Sequence, residues 1–154
     1  MQLADFLDCD AIKTALPGGN KRSLMKQLAE LAAQRIGAKP ADVLASLNER
    51  EQLGSTGFGQ GVAIPHAKIE GLAGIYGLFA RLSEPVDYKA IDGRPVDLIF
   101  LLLSPPDAGA EHLKALASIS RVTRDAATLE RLRGARSRDA LAAVLMGADE
   151  RDAA

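Results

Sequence analysis

His66 and His112 are the only two histidines in the chain. Imidazole is a side chain suited to reversible capture of a phosphoryl group. Near neutral pH one ring nitrogen is substantially unprotonated and can attack phosphorus, while a hydrogen bond at the other fixes the tautomer. His66 is the more informative of the two. It follows a segment in which Gly54, Gly57, Gly59 and Gly61 fall within eight residues, a density that disfavours helix and strand and lets backbone approach a ligand closely. The Ile64-Pro65 step then restricts the local backbone. The imidazole is therefore expected at a strand end, beside the hydroxyls of Ser55 and Thr56 and several amides. A histidine beside a loop is more often a surface or capping residue than a nucleophile, and the residues alone leave both readings open.

The neighbouring groups also have plainer readings. Arg50, near the end of a helical stretch, would favour the negative end of a helix dipole. His112 could be a satisfied residue of a helix first turn, Ser55 and Thr56 could stabilise turns, and Lys68 could be solvated. The glycine-rich segment lacks the Gly-Lys-Ser/Thr ending of a nucleotide-binding loop, so no nucleotide site is expected. Asp107, Glu111 and His112 lack a close ligand repeat, so no metal is expected, and the chemistry requires no cofactor.

These groups must be held by a small set of elements. Asn20 reads as an N-cap, with Leu24, Leu28, Leu31 and Ala32 at helical spacing and Gly37 as a stop. Pro40 suits a first helical position, and Val43, Leu44 and Leu47 carry a second apolar stripe that runs out near Gly54. Val62 to Ile64 reads as a short strand ending before Pro65, with His66 just past it. Ile75 to Leu82 and Val96 to Leu103 are nearly continuous apolar runs, suited to strands covered on both faces. After Ser104-Pro105-Pro106-Asp107, Leu113, Leu116 and Ile119 predict a helix through about Arg124, with His112 in its first turns. Two more helices are predicted, one capped by Asp125 and closed by Gly134, the other capped by Ser137 and closed by Gly147. Residues 148–154 are expected to fray. Helices before and after a core of strands imply one α/β domain over residues 1–154, a mixed β-sheet in layers with helices on both faces. The pattern leaves strand order open.

Composition agrees with that scale. The chain has 154 residues and 47% hydrophobic content, enough for one substantial core and too little for two ordinary domains. Nineteen basic against twenty acidic residues give a formal charge of −1, so no global field draws in nucleic acid or an anionic membrane. The lone Cys9 cannot form an intramolecular disulfide. Asp5, Asp8 and Asp10 stand where a secretory signal would carry basic residues, so a cytoplasmic location is expected. The longest strongly apolar run, Leu98 to Leu103, is far short of the roughly 20 residues that span a bilayer, and no direct membrane insertion is expected.

The stretch from Glu51 to Ala67, Glu-Gln-Leu-Gly-Ser-Thr-Gly-Phe-Gly-Gln-Gly-Val-Ala-Ile-Pro-His-Ala, resembles the active-site motif of the mannitol/fructose-type enzyme IIA family of the bacterial phosphotransferase system. An acidic residue, six spacers, an apolar-Gly pair, two spacers, then apolar-Ala-apolar-Pro-His and a small residue fall in register. The resemblance continues through Lys68 and the block from Ala90 to Leu103, covers nearly the whole chain, and is strongest to the nitrogen-related branch. One departure is Ala67, where many relatives have glycine. The resemblance implies a mixed sheet flanked by helices, with His66 as the phosphorylated residue and Arg50 and His112 as its site partners. Support for the phosphate is expected from Ser55, Thr56, Gly57 and Lys68. It also implies an HPr-like phosphohistidine carrier as donor, charged ultimately from phosphoenolpyruvate. The output would be regulation of targets such as sensor kinases or transporters by phosphorylation state. The alternative is a sugar-specific enzyme IIA that passes phosphate to a membrane permease. His112, near a helix N-terminus that disfavours an imidazolium, is expected to act as a neutral hydrogen-bond donor.

Overall fold

The computed structural model describes the backbone of residues 1–153 and the side chains of residues 1–148. Two short 3₁₀ turns, Leu3–Asp5 and Cys9–Ala11, lead into β1 (Lys13–Leu16). Helices α1 (Lys21–Ile36) and α2 (Pro40–Gln52) follow, then the short strands β2 (Gly57–Gly59), β3 (Val62–Ala63) and β4 (His66–Lys68). The long strands β5 (Tyr76–Val86) and β6 (Val96–Ser104) precede α3 (Ala110–Thr123), α4 (Ala126–Gly134) and α5 (Arg138–Ala153).

The helix ends follow their capping chemistry. Asn20 Oδ1 accepts from Ser23 N at 2.8 Å, and Ser23 Oγ accepts from Asn20 N at 3.2 Å, a reciprocal cap that satisfies two otherwise orphaned amides. Gly37 closes α1 in the left-handed region at φ 74°, and its amide and that of Ala38 both reach back to the Ala33 carbonyl. Asp125 and Ser137 cap α4 and α5 by accepting from Ala127 N and Ala140 N. Gly147 does not close α5, which continues to Ala153. A glycine inside a helix costs only about 1 kcal/mol, so it stops a helix only where the chain turns left-handed. Of the expected loose end, 148–154, the backbone of 148–153 is helical, and Ala154 lies outside the described residues.

The six strands form one mixed sheet in the order β1-β5-β6-β3-β2, with β4 also on β6. β5 and β6 are antiparallel; β1 runs parallel to β5, and β3 and β4 both run parallel to β6. Side chains alternate across the sheet. Leu78, Ala80, Ile99, Leu101 and Leu103 pack on one face with Leu24, Leu28, Val43 and Leu47 of α1 and α2. Phe79, Leu98, Phe100 and Leu102 pack on the other with Ile119, Val122, Leu129, Leu132, Leu141 and Leu145 of α3 to α5. Phe79 and Phe100 meet edge to face with ring centroids 5.0 Å apart, a favoured aromatic geometry.

Three strands lie where the sequence pattern gave no signal: β1, β2 and β4, the last beginning at His66. β1 is a four-residue edge strand with a half-exposed pattern. β2 lies inside the glycine-rich segment, which is therefore not simply a loop. It pairs antiparallel with β3 through Gly59↔Val62, and the intervening Gln60 and Gly61 sit at φ 58° and 80°. Two consecutive left-handed residues make the turn whose twist suits a tight hairpin, so the glycines build a strand pair. Gly57 is glycine for space: a Cβ there would lie 2.8 Å from the Tyr88 ring and 2.9 Å from Ala90 Cβ.

Candidate functional site

Three elements converge at the C-terminal end of β6. β3 ends at Ala63, Ile64 N donates to the Thr56 carbonyl, and Leu102 N donates to the Pro65 carbonyl. The chain then rejoins the same edge of β6 as β4, with His66 opposite Leu102. Ile64 and Pro65 separate the two strands, so His66 does not sit just past the end of β3 as the pattern placed it but opens β4, where pairing with β6 fixes its backbone. Ala67 lies in β4, its side chain in the core on the α1/α2 face, and it is not among the residues at positive φ. Glycine is not required at this position in this chain.

The His66 ring is held in one orientation. Nδ1 lies 2.8 Å from the Ile64 carbonyl oxygen. A carbonyl only accepts, so Nδ1 carries the proton and the lone pair is on Nε2. Arg50, in the last turn of α2, donates from Nε to that lone pair at 3.2 Å and from Nη1 to the Gly54 carbonyl at 3.0 Å. Burial lowers the His66 pKa below the ordinary 6.5, and the Arg50 charge lowers it further, against the opposing pull of the Ile64 carbonyl and of Glu51. The imidazole is accordingly predominantly neutral at neutral pH, with Nε2 as its unprotonated nitrogen.

His112 faces it from the first turn of α3, with ring centroids 5.4 Å apart and planes tilted by 53°. Its Nδ1 lies 2.5 Å from Ser104 Oγ at the end of β6. Burial, then the neighbouring His66 and Lys68, push its pKa down to about 4. Arg50, His66, Lys68 and His112 line one cleft of about 410 Å³, completed by Ser46, Glu49, Leu53 and Ala67.

The other expected support residues lie elsewhere. Ser55 Oγ accepts from Gly57 N at 3.1 Å, and Gly57 packs under Tyr88. Thr56 is buried beneath the hairpin, its amide and hydroxyl both bonded to the Glu51 carboxylate. Its hydroxyl is also 2.9 Å from Tyr88 Oη. None of the three lines the cleft.

Glu51 is instead the centre of a buried polar cluster. Besides Thr56, it accepts from Tyr88 Oη at 2.9 Å and pairs with Lys21 Nζ at 2.8 Å, and that ammonium lies 4.3 Å from the Tyr88 ring centroid. Burial opposes ionisation of Glu51, but the bonds from Lys21, Thr56 and Tyr88 outweigh it and hold the carboxyl below its ordinary range. Glu51 follows Arg50 directly, so the cluster ties the end of α2 to α1, the hairpin and the β5–β6 connection. Lys21, Tyr88 and Ser104 did not stand out as site-related in the sequence. Glu51 did, as the acidic residue that opens the motif.

A positioned imidazole, a guanidinium and a second imidazole share one cleft at the end of β6. Residues 5–147 match the model of the phosphoenolpyruvate-dependent sugar phosphotransferase system EIIA 2 family, and the chain belongs to that family. It is 46% identical to a nitrogen regulatory protein of Bradyrhizobium diazoefficiens over 94% of this chain and 95% of that one. It is 35% identical to the nitrogen regulatory protein of Escherichia coli K12 over 92% and 87%. The crystal structure of the nitrogen regulatory protein IIA-Ntr from Neisseria meningitidis superposes with a TM-score of 0.87 at 37% identity, over 93% of this chain and 98% of that one. No described helix is long and apolar enough to cross a membrane.

Proposed function

We propose that this chain accepts a phosphoryl group on Nε2 of His66 from the phosphohistidine of an HPr-type carrier, and that its phosphorylation state regulates partner proteins. The observation that carries this reading is the bond from His66 Nδ1–H to the Ile64 carbonyl, which leaves the lone pair on the other nitrogen, beside Arg50, and so supports a nucleophilic role for it. The bond between phosphorus and the donor imidazole breaks, its electron pair returning to the donor nitrogen, as a bond forms between phosphorus and the His66 Nε2 lone pair. The ring acquires positive charge, and the Nδ1 proton stays directed at the Ile64 carbonyl, which stabilises that charge. Arg50 turns its Nε–H from the consumed lone pair to a phosphoryl oxygen. The protein's contribution is positioning and charge stabilisation. Two imidazoles of similar chemistry make the transfer nearly balanced and reversible.

The regulatory output follows from electrostatics. The phosphoryl group places negative charge in a cleft whose wall includes Leu53, 82% exposed, close to where a protein partner must dock, and such a charge can abolish one interface and create another. Likeness over nearly full length to chains named nitrogen regulatory proteins supports this use over delivery to a sugar permease. Incubation with a purified HPr-type carrier precharged from phosphoenolpyruvate should give one acid-labile phosphate per chain, absent in His66→Ala. Affinity capture should then return different partners for the two states. Phosphate retained in His66→Ala, or identical partners for both states, would refute the corresponding half of the proposal. Rapid transfer onward to purified sugar-permease domains would favour the alternative.

A further inference from the structure

A phosphoryl group on His66 would bring negatively charged oxygens against His112, and a hydrogen bond to them requires a proton, and not a lone pair, on the nitrogen that faces them. Burial and the charges of its neighbours keep the ring from being an imidazolium, so only one of the two neutral tautomers serves. The side chain that decides between them is Ser104. It is fully buried, with 0% exposure, and its backbone is fixed by pairing with Lys68 in β4 and by the bond from Ile69 N to its carbonyl at 2.8 Å. Among the described residues its hydroxyl has one partner, His112 Nδ1. A buried hydroxyl proton requires an acceptor. If Nδ1 were the donor, the serine proton would be left without one, so the hydroxyl donates and Nδ1 accepts. The proton of the neutral ring is then on Nε2. Every buried side-chain nitrogen or oxygen among the described residues has a partner, and His112 Nε2 has none. That nitrogen is therefore not sealed in the interior, and it opens on the cleft that His112 lines.

We propose that Ser104 is a positioning residue for phosphoryl transfer: its hydroxyl donates to His112 Nδ1 and thereby fixes the tautomer whose Nε2–H points into the cleft beside His66. No proton leaves His112 in this scheme; it supplies a hydrogen bond to a phosphoryl oxygen. The role rests on the assignment of His66 as the phosphoryl acceptor.

With only two histidines, long-range ¹H–¹⁵N correlation of the ring nitrogens of the unphosphorylated protein reads both tautomers directly. His112 Nδ1 should show the shift of an unprotonated nitrogen in the wild type, and Ser104→Ala should mix the two tautomers. Ser104→Cys, nearly isosteric with a weak donor, guards against a packing defect in the alanine variant. Partners that orient metal-bound histidines are worth roughly 10- to 100-fold, and by the same orienting role single-turnover transfer from a precharged HPr-type carrier should slow by about that factor in both variants. In a His112→Ala background, Ser104→Ala should add no further loss. A protonated Nδ1 in the wild type, wild-type rates in both Ser104 variants, or an equal slowing in the His112→Ala background would each overturn the proposal. A wild-type chain that takes no phosphoryl group would overturn the His66 assignment itself, and is recognised first because the wild type is read before any variant.

Discussion

Arg50 makes two contacts whose fates differ during the reaction, and its replacement tests the mechanism at that point. In the resting site Nε donates to the His66 Nε2 lone pair and Nη1 to the Gly54 carbonyl. Phosphorylation consumes the lone pair, so the Nε–H must pass to a phosphoryl oxygen, while the Gly54 contact keeps the guanidinium in place. A preorganised donor aimed at developing charge supplies about 2 to 4 kcal/mol, so Arg50→Ala should slow single-turnover transfer about 30- to 1000-fold. Arg50→Lys keeps the charge but cannot hold the carbonyl and the phosphoryl oxygen through one planar fork, and should remain about tenfold slow. The side chain is only partly buried, so stability should change by no more than about 1 kcal/mol. The His66 pKa should rise toward 6.5 in Arg50→Ala, because one of the influences that lower it has gone. Rapid-quench transfer from a precharged carrier, urea denaturation and NMR titration of His66 measure the three effects. Wild-type rates in both variants, or a slowing matched by the fraction unfolded, would remove Arg50 from the reaction.

Stability should fall as the pH drops from about 6.5 to 4, because the unfolded chain protonates His112 near 6.5 and the folded chain only near 4. His112→Asn should flatten part of that fall, and equal pH slopes of the urea midpoint in the two proteins would contradict the burial argument. Glu51→Ala strands Lys21, Thr56 and Tyr88 at once and should cost about 2 to 4 kcal/mol by urea denaturation; a loss below about 0.5 kcal/mol would show the cluster to be loose. Gly57→Ala drives a Cβ to within 3 Å of Tyr88 and Ala90 and should cost about 1 to 3 kcal/mol by overpacking; an unchanged melt would count against the tight seating of β2.

The sequence was most legible where one local rule governs a stretch of chain. Asn20 and Gly37 bound α1 because capping is local, and the apolar runs of β5 and β6 declare strands buried on both faces because nothing else explains their composition. β2 was hidden because its glycines obey a turn requirement and a packing requirement set by Tyr88, which is 31 residues away in the chain from Gly57. The candidate site divides in the same way. His66, Arg50, His112 and Lys68 stand together in the cleft; the helices that carry Arg50 and His112 were readable, whereas β4, which carries His66 and Lys68, was not. Ser55, Thr56 and Gly57, adjacent in sequence to those groups, turn away from it to secure the hairpin. Lys21, Tyr88 and Ser104 acquire their roles only when distant strands and helices meet, and no spacing along the chain signals that.

The central claim is that the His66 ring is locked so that Nε2 alone takes phosphorus. Its most direct test is ³¹P and ¹⁵N NMR of ring-labelled protein after incubation with the precharged carrier. A single phosphohistidine signal should couple phosphorus to Nε2 of His66, with Nδ1 still hydrogen-bonded to the Ile64 carbonyl and His112 unmodified. Phosphorus bonded to Nδ1 of His66, or to either nitrogen of His112, would contradict the account.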